Sequence, residues 1–316
     1  MKQFSQLVYN EHIKIFKKTG TKVMFLILLG IVIIGGLFTR LFAEDIGSEP
    51  WRERVQNEIS VMEQQMQEAD LPPETQIQIQ EQIELQEYYL SENIEPLTNQ
   101  HTWEFFIDNG QLVTFIAMFT VIVAAGIIAG EHSSGTIKML LIRPVKRWKI
   151  LLSKWTATML FSFIVVFALM IYSFIVGLFF SGFNLGPLRW IDTVHGEIRD
   201  WHVLEYGILV YSLNFIELLM LTTFAFMIGT VFRNQSLAIG LSLVALFMGG
   251  QVVFLLNQFE WAKYILFANT YLMQYVHQSP IVAGMTPLFS AIILIVYFAA
   301  FMLISILIFA KRDVAD

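Results

Sequence analysis

Few residues in this chain of 316 have the types and spacing that catalysis needs. Gly130-x4-Gly135-Thr136 echoes the phosphate loop G-x-x-x-x-G-K-[ST], whose lysine reaches the phosphates. Here that lysine is missing, and an apolar run with the character of a membrane helix precedes the motif where a strand should stand. The chain therefore has no ATP site of its own. His195 and His202 flank Glu197, and a metal site there is conceivable. No third ligand or i,i+4 spacing accompanies them, so loop polarity accounts for them better. No H-E-x-x-H or G-x-S-x-G occurs. The absence of cysteine removes thiolate nucleophiles and zinc–thiolate sites. Neither an enzyme nor a bound cofactor or metal is expected.

Two polar constellations remain. Glu217 lies inside an apolar run, where an acid costs on the order of 3 kcal/mol and must face protein or water. Asn214, three residues earlier, shares its helix face. A lining position on a substrate route (or a proton-sensitive gate) and a structural interhelical hydrogen bond both fit this pair. The second constellation is the polar, basic stretch Gly130–Ile150. Ser133 or Ser134 can cap a helix, and Gly135 permits close approach. Ile137, Met139, Leu140 and Leu141 supply an apolar patch, and Pro144 stops the element. Arg143, Lys146, Arg147 and Lys149 then form a basic edge before Lys154. This reads as a short amphipathic basic helix along the membrane face, suited to a groove on a soluble partner.

The elements that must position these groups are apolar. The chain is 56% hydrophobic and only 15% charged, whereas a soluble domain carries nearer a quarter charged residues. Six runs, Val23–Phe42, Leu112–Ala129, Trp155–Phe180, Glu205–Phe232, Ser236–Leu256 and Pro287–Ala310, reach or approach the roughly 20 residues that cross a hydrocarbon core of about 30 Å. Each must be helical, because lipid satisfies no backbone amide or carbonyl. The fold class is thus all-α: a polytopic membrane protein with six transmembrane helices.

Basic residues set the orientation. Lys2, Lys14, Lys17, Lys18 and Lys22 precede the first run, six bases lie across Lys138–Lys154, and Arg233, Lys311 and Arg312 complete that side. Both termini are expected in the cytoplasm, with the first run a retained signal-anchor. Sixteen acids between Glu44 and Asp108 mark the outer side, so the net charge of −6 carries no implication of nucleic acid. Residues 1–22 read as a cytoplasmic interfacial helix in contact with lipid. Residues 43–110 read as an extracellular helical hairpin: Val55, Ile59, Met62, Met66 and Ala69 form a heptad seam. Leu71-Pro72-Pro73 restarts a helix carrying Ile79, Ile83, Leu90 and Ile94. A spacer or lid and a recognition element both fit that hairpin. Ser181–His202 reads as a polar loop with interfacial Trp190 and Trp201, and a re-entrant segment is expected near 261–280.

The pattern Glu131-x3-Gly135-Thr136-x3-Leu140-Leu141-x2-Pro144-x2-Arg147-x2-Ile150-x3-Lys154 resembles the cytoplasmic loop of ABC-2-type transporter permeases. Six spans, internal termini, a re-entrant element before the last span and the polar link Phe232-Arg233-Asn234-Gln235-Ser236 are similar too. The likeness covers roughly residues 1–42 and 110–316, and the long acidic insertion departs from smaller members. It implies a bacterial plasma-membrane permease subunit, homo- or heterodimeric, served by a separate ABC ATPase that uses ATP and Mg. Residues 131–154 would then hold the coupling loop, with Glu131, Gly135, Thr136, Leu140, Leu141, Arg143, Pro144, Arg147 and Lys154 as the ATPase-coupling set. Asn214 and Glu217 remain substrate-pathway candidates. Export is the direction the family implies, and the sequence does not select a cargo. An ion-gradient-driven carrier and a non-transporting sensor or scaffold are the rival expectations.

Overall fold

The computed structural model describes residues 2–42, 50–67, 72–98, 100–136, 145–194, 197–277 and 280–311. Leu140, Leu141, Arg143, Pro144, Ala69, Leu71, His195 and Arg312, all used above, lie outside the described residues. Six of the helical stretches are long and apolar enough to cross a membrane. In chain order the elements are α1 (Lys2–Lys17), α2 (Thr19–Phe42), α3 (Trp51–Gln67), α4 (Pro73–Ser91), α5 (Thr102–Asp108) and α6 (Leu112–Ser133). Then follow α7 (Arg147–Phe180), β1 (Arg189–Val194), β2 (Glu197–His202), α8 (Val203–Val231), α9 (Gln235–Leu256), α10 (Leu266–Thr270) and α11 (Pro287–Lys311).

Two spans are longer than their apolar runs. A 3-10 turn, Asn109–Gln111, joins α5 to α6, so the second candidate span covers Thr102–Ser133. The α7 helix begins at Arg147 and runs 34 residues, about 50 Å at 1.5 Å per residue. Its basic first two turns project beyond a hydrocarbon core of about 30 Å. Lys154 is therefore a helical residue near a span end.

The chain divides into two compact units. One comprises Met1–Leu29, Gln111–Leu169 and Tyr211–Asp316. In it α6 is the interior helix: 67% of the most apolar window of its span is buried, against 17% for α9. Small residues let the helices close in. A Cβ at Gly229 of α8 would lie 2.2 Å from the Ala125 carbonyl oxygen of α6. One helical repeat away, Thr222 Oγ1 donates to Thr120 Oγ1 at 3.1 Å. The link between α8 and α9 is pinned to the end of α6. Ser133 Oγ donates to the Arg233 carbonyl at 3.2 Å and accepts from Gln235 N at 3.1 Å. Asn234 caps α9 by accepting from Leu237 N at 3.0 Å.

Between α9 and α11 the chain breaks into Glu260–Tyr264, α10 and Leu272–Tyr275, the outer two being 3-10 turns. Non-helical backbone survives at such a place only where protein groups satisfy it. Asn269, fully buried, donates to the carbonyls of Lys263 and Ile265, each at 2.8 Å, and accepts from Ser290 Oγ of α11 at 2.7 Å. Gln274 donates to the Ala268 carbonyl at 3.0 Å and accepts from Ile281 N at 2.9 Å.

The second unit comprises Gly30–Gly110 and Met170–Val210. The α3 and α4 helices are joined by Gln86 donating to Glu58 at 3.0 Å, and Arg52 bonds Asn93. Val55 and Ile83 of the apolar stripes are buried, whereas Met66 is exposed, so the seam fades toward the far end of α3. Residues 181–202, read from sequence as a polar loop, contain an antiparallel hairpin with Trp190 opposite Trp201. Charged residues fall on both of its faces (Arg189 and Asp200 on the face of Ile191, Asp192 and Arg199 on the other), so no apolar alternation marks it in the sequence. Ile191 is buried against Tyr89 and Ile94, and the Tyr89 hydroxyl donates to the Ile191 carbonyl at 3.4 Å. Trp190 stacks on Tyr206 at 4.6 Å between ring centroids.

Candidate functional site

On α1, Phe4, Val8, Glu11 and Ile15 recur at helical spacing. Val8 and Ile15 are buried, and so is Glu11. A carboxylate on a buried stripe needs a partner, and Lys154 of α7 supplies it. Lys154 is fully buried, and its Nζ donates to Glu11 Oε2 and to Glu131 Oε1, both at 2.7 Å. Lys14 closes the cluster from the outside, 2.8 Å from Glu11 Oε1 and 3.4 Å from Glu131 Oε1. Burial by itself would raise the Glu11 carboxyl, yet Lys154 and Lys14 outweigh it and hold the group below its ordinary value. Burial likewise pulls the Lys14 ammonium down, while Glu11, then Glu131, hold it above its ordinary value. One acceptor is left over: Glu131 Oε2 is buried with no hydrogen-bond partner among the described residues.

This geometry revises the reading of the basic loop. Glu131 belongs to the last turn of α6 and Lys154 to the third turn of α7, so their pair bridges the two helices that flank residues 134–146. Glu11 adds α1 to the same knot. Ser133 and Ser134 do not start a helix. They end α6, and Ser134 Oγ bonds back to the Gly130 carbonyl at 2.8 Å. Gly135 takes the left-handed conformation (φ +70°) that turns the chain out of α6, and Thr136 Oγ1 lies 2.9 Å from Ser134 Oγ. At the far side Arg147 donates to the Ala310 carbonyl of α11 at 3.0 Å. Of the expected coupling residues, Leu140, Leu141, Arg143 and Pro144 lie outside the described residues. The structure thus brings Glu131 and Lys154 together and places Arg147 against α11.

Asn214 and Glu217 sit together on α8. Asn214 is buried and Glu217 half-buried. Among the described residues no three His, Cys, Asp or Glu side chains gather as a metal site would require.

Glu11 and Lys14 were missed as site residues. A signal was present: Glu11 is the only acid before Glu44, among five lysines. It also occupies the one polar position of an otherwise apolar stripe.

Six helices long and apolar enough to cross a membrane define a polytopic helical membrane protein. The chain belongs to the family described as "Protein of unknown function (DUF2705)", whose model matches residues 74–315. It is 37% identical over 317 residues to the "Uncharacterized protein YhcI" of Bacillus subtilis (strain 168), covering 98% of this chain and 99% of that one. It is also 35% identical over 198 residues to the "Uncharacterized membrane protein YdbK" of the same organism, covering 62% of this chain and 76% of that protein.

Proposed function

We propose that the chain is the membrane-spanning subunit of an ABC transporter, working with a separate ATPase that binds ATP and Mg. In this reading the termini and the loop at 134–146 face the bacterial cytoplasm, the segment 43–110 faces outward, and export is the direction of transport. The observation that carries it is the Glu11–Lys154–Glu131 knot. A loop that receives force must pass it to the spans, and here both helices flanking the loop are locked to each other and to α1 by buried charge. In this reading the basic edge of Arg143, Lys146, Arg147 and Lys149 engages an acidic groove on the ATPase. The resemblance of the loop to ABC-2-type permeases supports the same assignment.

Charge reversal at Arg143 and Arg147 together is expected to reduce co-purification of the ATPase on the order of tenfold or more, as loss of an interface anchor does. Arg147 also bonds Ala310, so the thermal midpoint of the variant is measured alongside. Unchanged co-purification by a folded variant would remove the coupling assignment.

The acid Glu217 within an apolar span supports a second reading, a carrier coupled to an ion gradient. In the transporter reading Glu217→Gln slows ATP-driven transport with assembly and membrane level intact, because the acid lines the route. In the carrier reading the chain works without any ATPase, and Glu217→Gln abolishes the dependence on the gradient. Reconstitution of the chain alone and with the ATPase separates the two. Wild-type transport by Glu217→Gln would exclude the residue from either role.

A further inference from the structure

Beside the charged knot, within the first unit, lies an open cavity of about 570 Å³. Lys17 and Lys18 are on its wall, with Glu131, Gly126, Gly130 and Gln235 opposite. Gly126 and Gly130 keep this wall open. The Gln235 amide lies over both glycines, 3.3 Å and 3.1 Å from where a Cβ would stand, and Glu131 of α6 lines the cavity beside them.

The charges in the wall are unevenly spent. Glu11 and Glu131 are balanced by Lys14 and Lys154. Lys17 and Lys18 are exposed and have no ion-pair partner among the described residues. The cavity is therefore net positive by two free ammonium groups. The third cavity lysine, Lys14, is already engaged by Glu11 and Glu131. Its level in the membrane is set by the helices themselves. Lys17 ends α1, Lys18 precedes the start of the α2 span at Thr19, and Gly130 and Glu131 lie at the end of the α6 span. Span ends are where phospholipid headgroups sit, and basic pockets between spans suit anionic headgroups.

We propose that this cavity binds a glycerophosphate group, supplied by an anionic phospholipid whose phosphate meets Lys17 and Lys18. Such a lipid would sit against the helix pair that carries the knot and hold α1 to the end of α6. The assignment does not depend on the transporter reading, since it needs neither an ATPase nor a given leaflet.

The test uses the full chain in detergent and in nanodiscs, with phosphatidylglycerol and phosphatidylcholine as the probes. Wild type is expected to retain phosphatidylglycerol over phosphatidylcholine by about tenfold or more, read by native mass spectrometry, with a higher thermal midpoint in phosphatidylglycerol nanodiscs. Lys17→Gln with Lys18→Gln should erase that preference. Lys146→Gln with Lys149→Gln removes as much charge away from the cavity and should leave it. Equal retention of both lipids by wild type, or equal losses in the two double variants, would overturn the pocket. Binding of free glycerol 3-phosphate that is lost with Lys17 and Lys18, without any lipid preference, would assign the site to a soluble ester and overturn the lipid source.

Discussion

Lys154→Met is expected to destabilise the detergent-solubilised protein by about 3–5 kcal/mol, the cost of stranding a buried charge by removing one partner. Lys154 is the buried donor shared by Glu11 and Glu131, and its loss leaves both carboxylates with only the exposed Lys14. Adding Glu11→Gln and Glu131→Gln to the same chain should recover most of the loss, because neutral amides carry no uncompensated charge. If the single variant unfolds no earlier than wild type, the knot does not hold the helices. The pH dependence follows from the depressed Glu11 carboxyl. Its folded-state value is below its ordinary 4.5, so its contribution is complete above that value and is lost as pH falls through the folded one. Wild type should therefore lose stability on acidification in that window, and Lys154→Met should lose less, its principal partner being already gone.

Gly229→Ala should be as damaging through a different mechanism. The added methyl group would meet the Ala125 carbonyl oxygen at 2.2 Å and its carbonyl carbon at 2.8 Å. Backbone cannot rotate aside as a side chain can, so α6 and α8 must separate. A destabilisation of about 3 kcal/mol or more is expected, at the upper end of overpacking penalties. Shortening a side chain on α6 cannot rescue it, because the obstacle is main chain. The control is Gly240→Ala on α9, where nothing stands within 4 Å of the new methyl. There the higher helix propensity of alanine, up to about 1 kcal/mol, leaves the midpoint unchanged or raised. Equal behaviour of the two variants in thermal unfolding would show that α6 and α8 do not approach this closely.

The six spans were legible because lipid imposes one rule on every backbone group, and hydropathy over about 20 residues reports it. The ends of the spans were not. Arg147, Lys149 and Lys154 look extramembrane by composition, yet they lie in helix, because α7 projects past the apolar core. Glu131 and Lys154 were visible as members of a loop pattern, and their pairing was invisible because it is a tertiary contact. Glu11 was lost in an imperfect amphipathic stripe whose one polar position proved to be the one that Lys154 pairs with. The strands at 189–202 went unread because charged residues stand on both faces of the hairpin, Asp200 directly opposite buried Ile191, so the sequence shows no alternation. For Asn269 the sequence signalled a polar group in an apolar stretch, and only the fold shows that Ser290 completes it.

That last contact has a consequence for biogenesis. Two of the Asn269 bonds, to Lys263 and Ile265, form within the segment as it is synthesised, whereas the third comes from α11, translated later. The segment before α11 is too short and too broken to insert as a span, so a nascent chain that has reached only that point holds an amide oxygen with no donor. Insertion of the final helix supplies the donor and seats the segment in the same event. Seating of the broken segment is thus coupled to the last span: of the three Asn269 bonds, the one that satisfies its amide oxygen comes from α11.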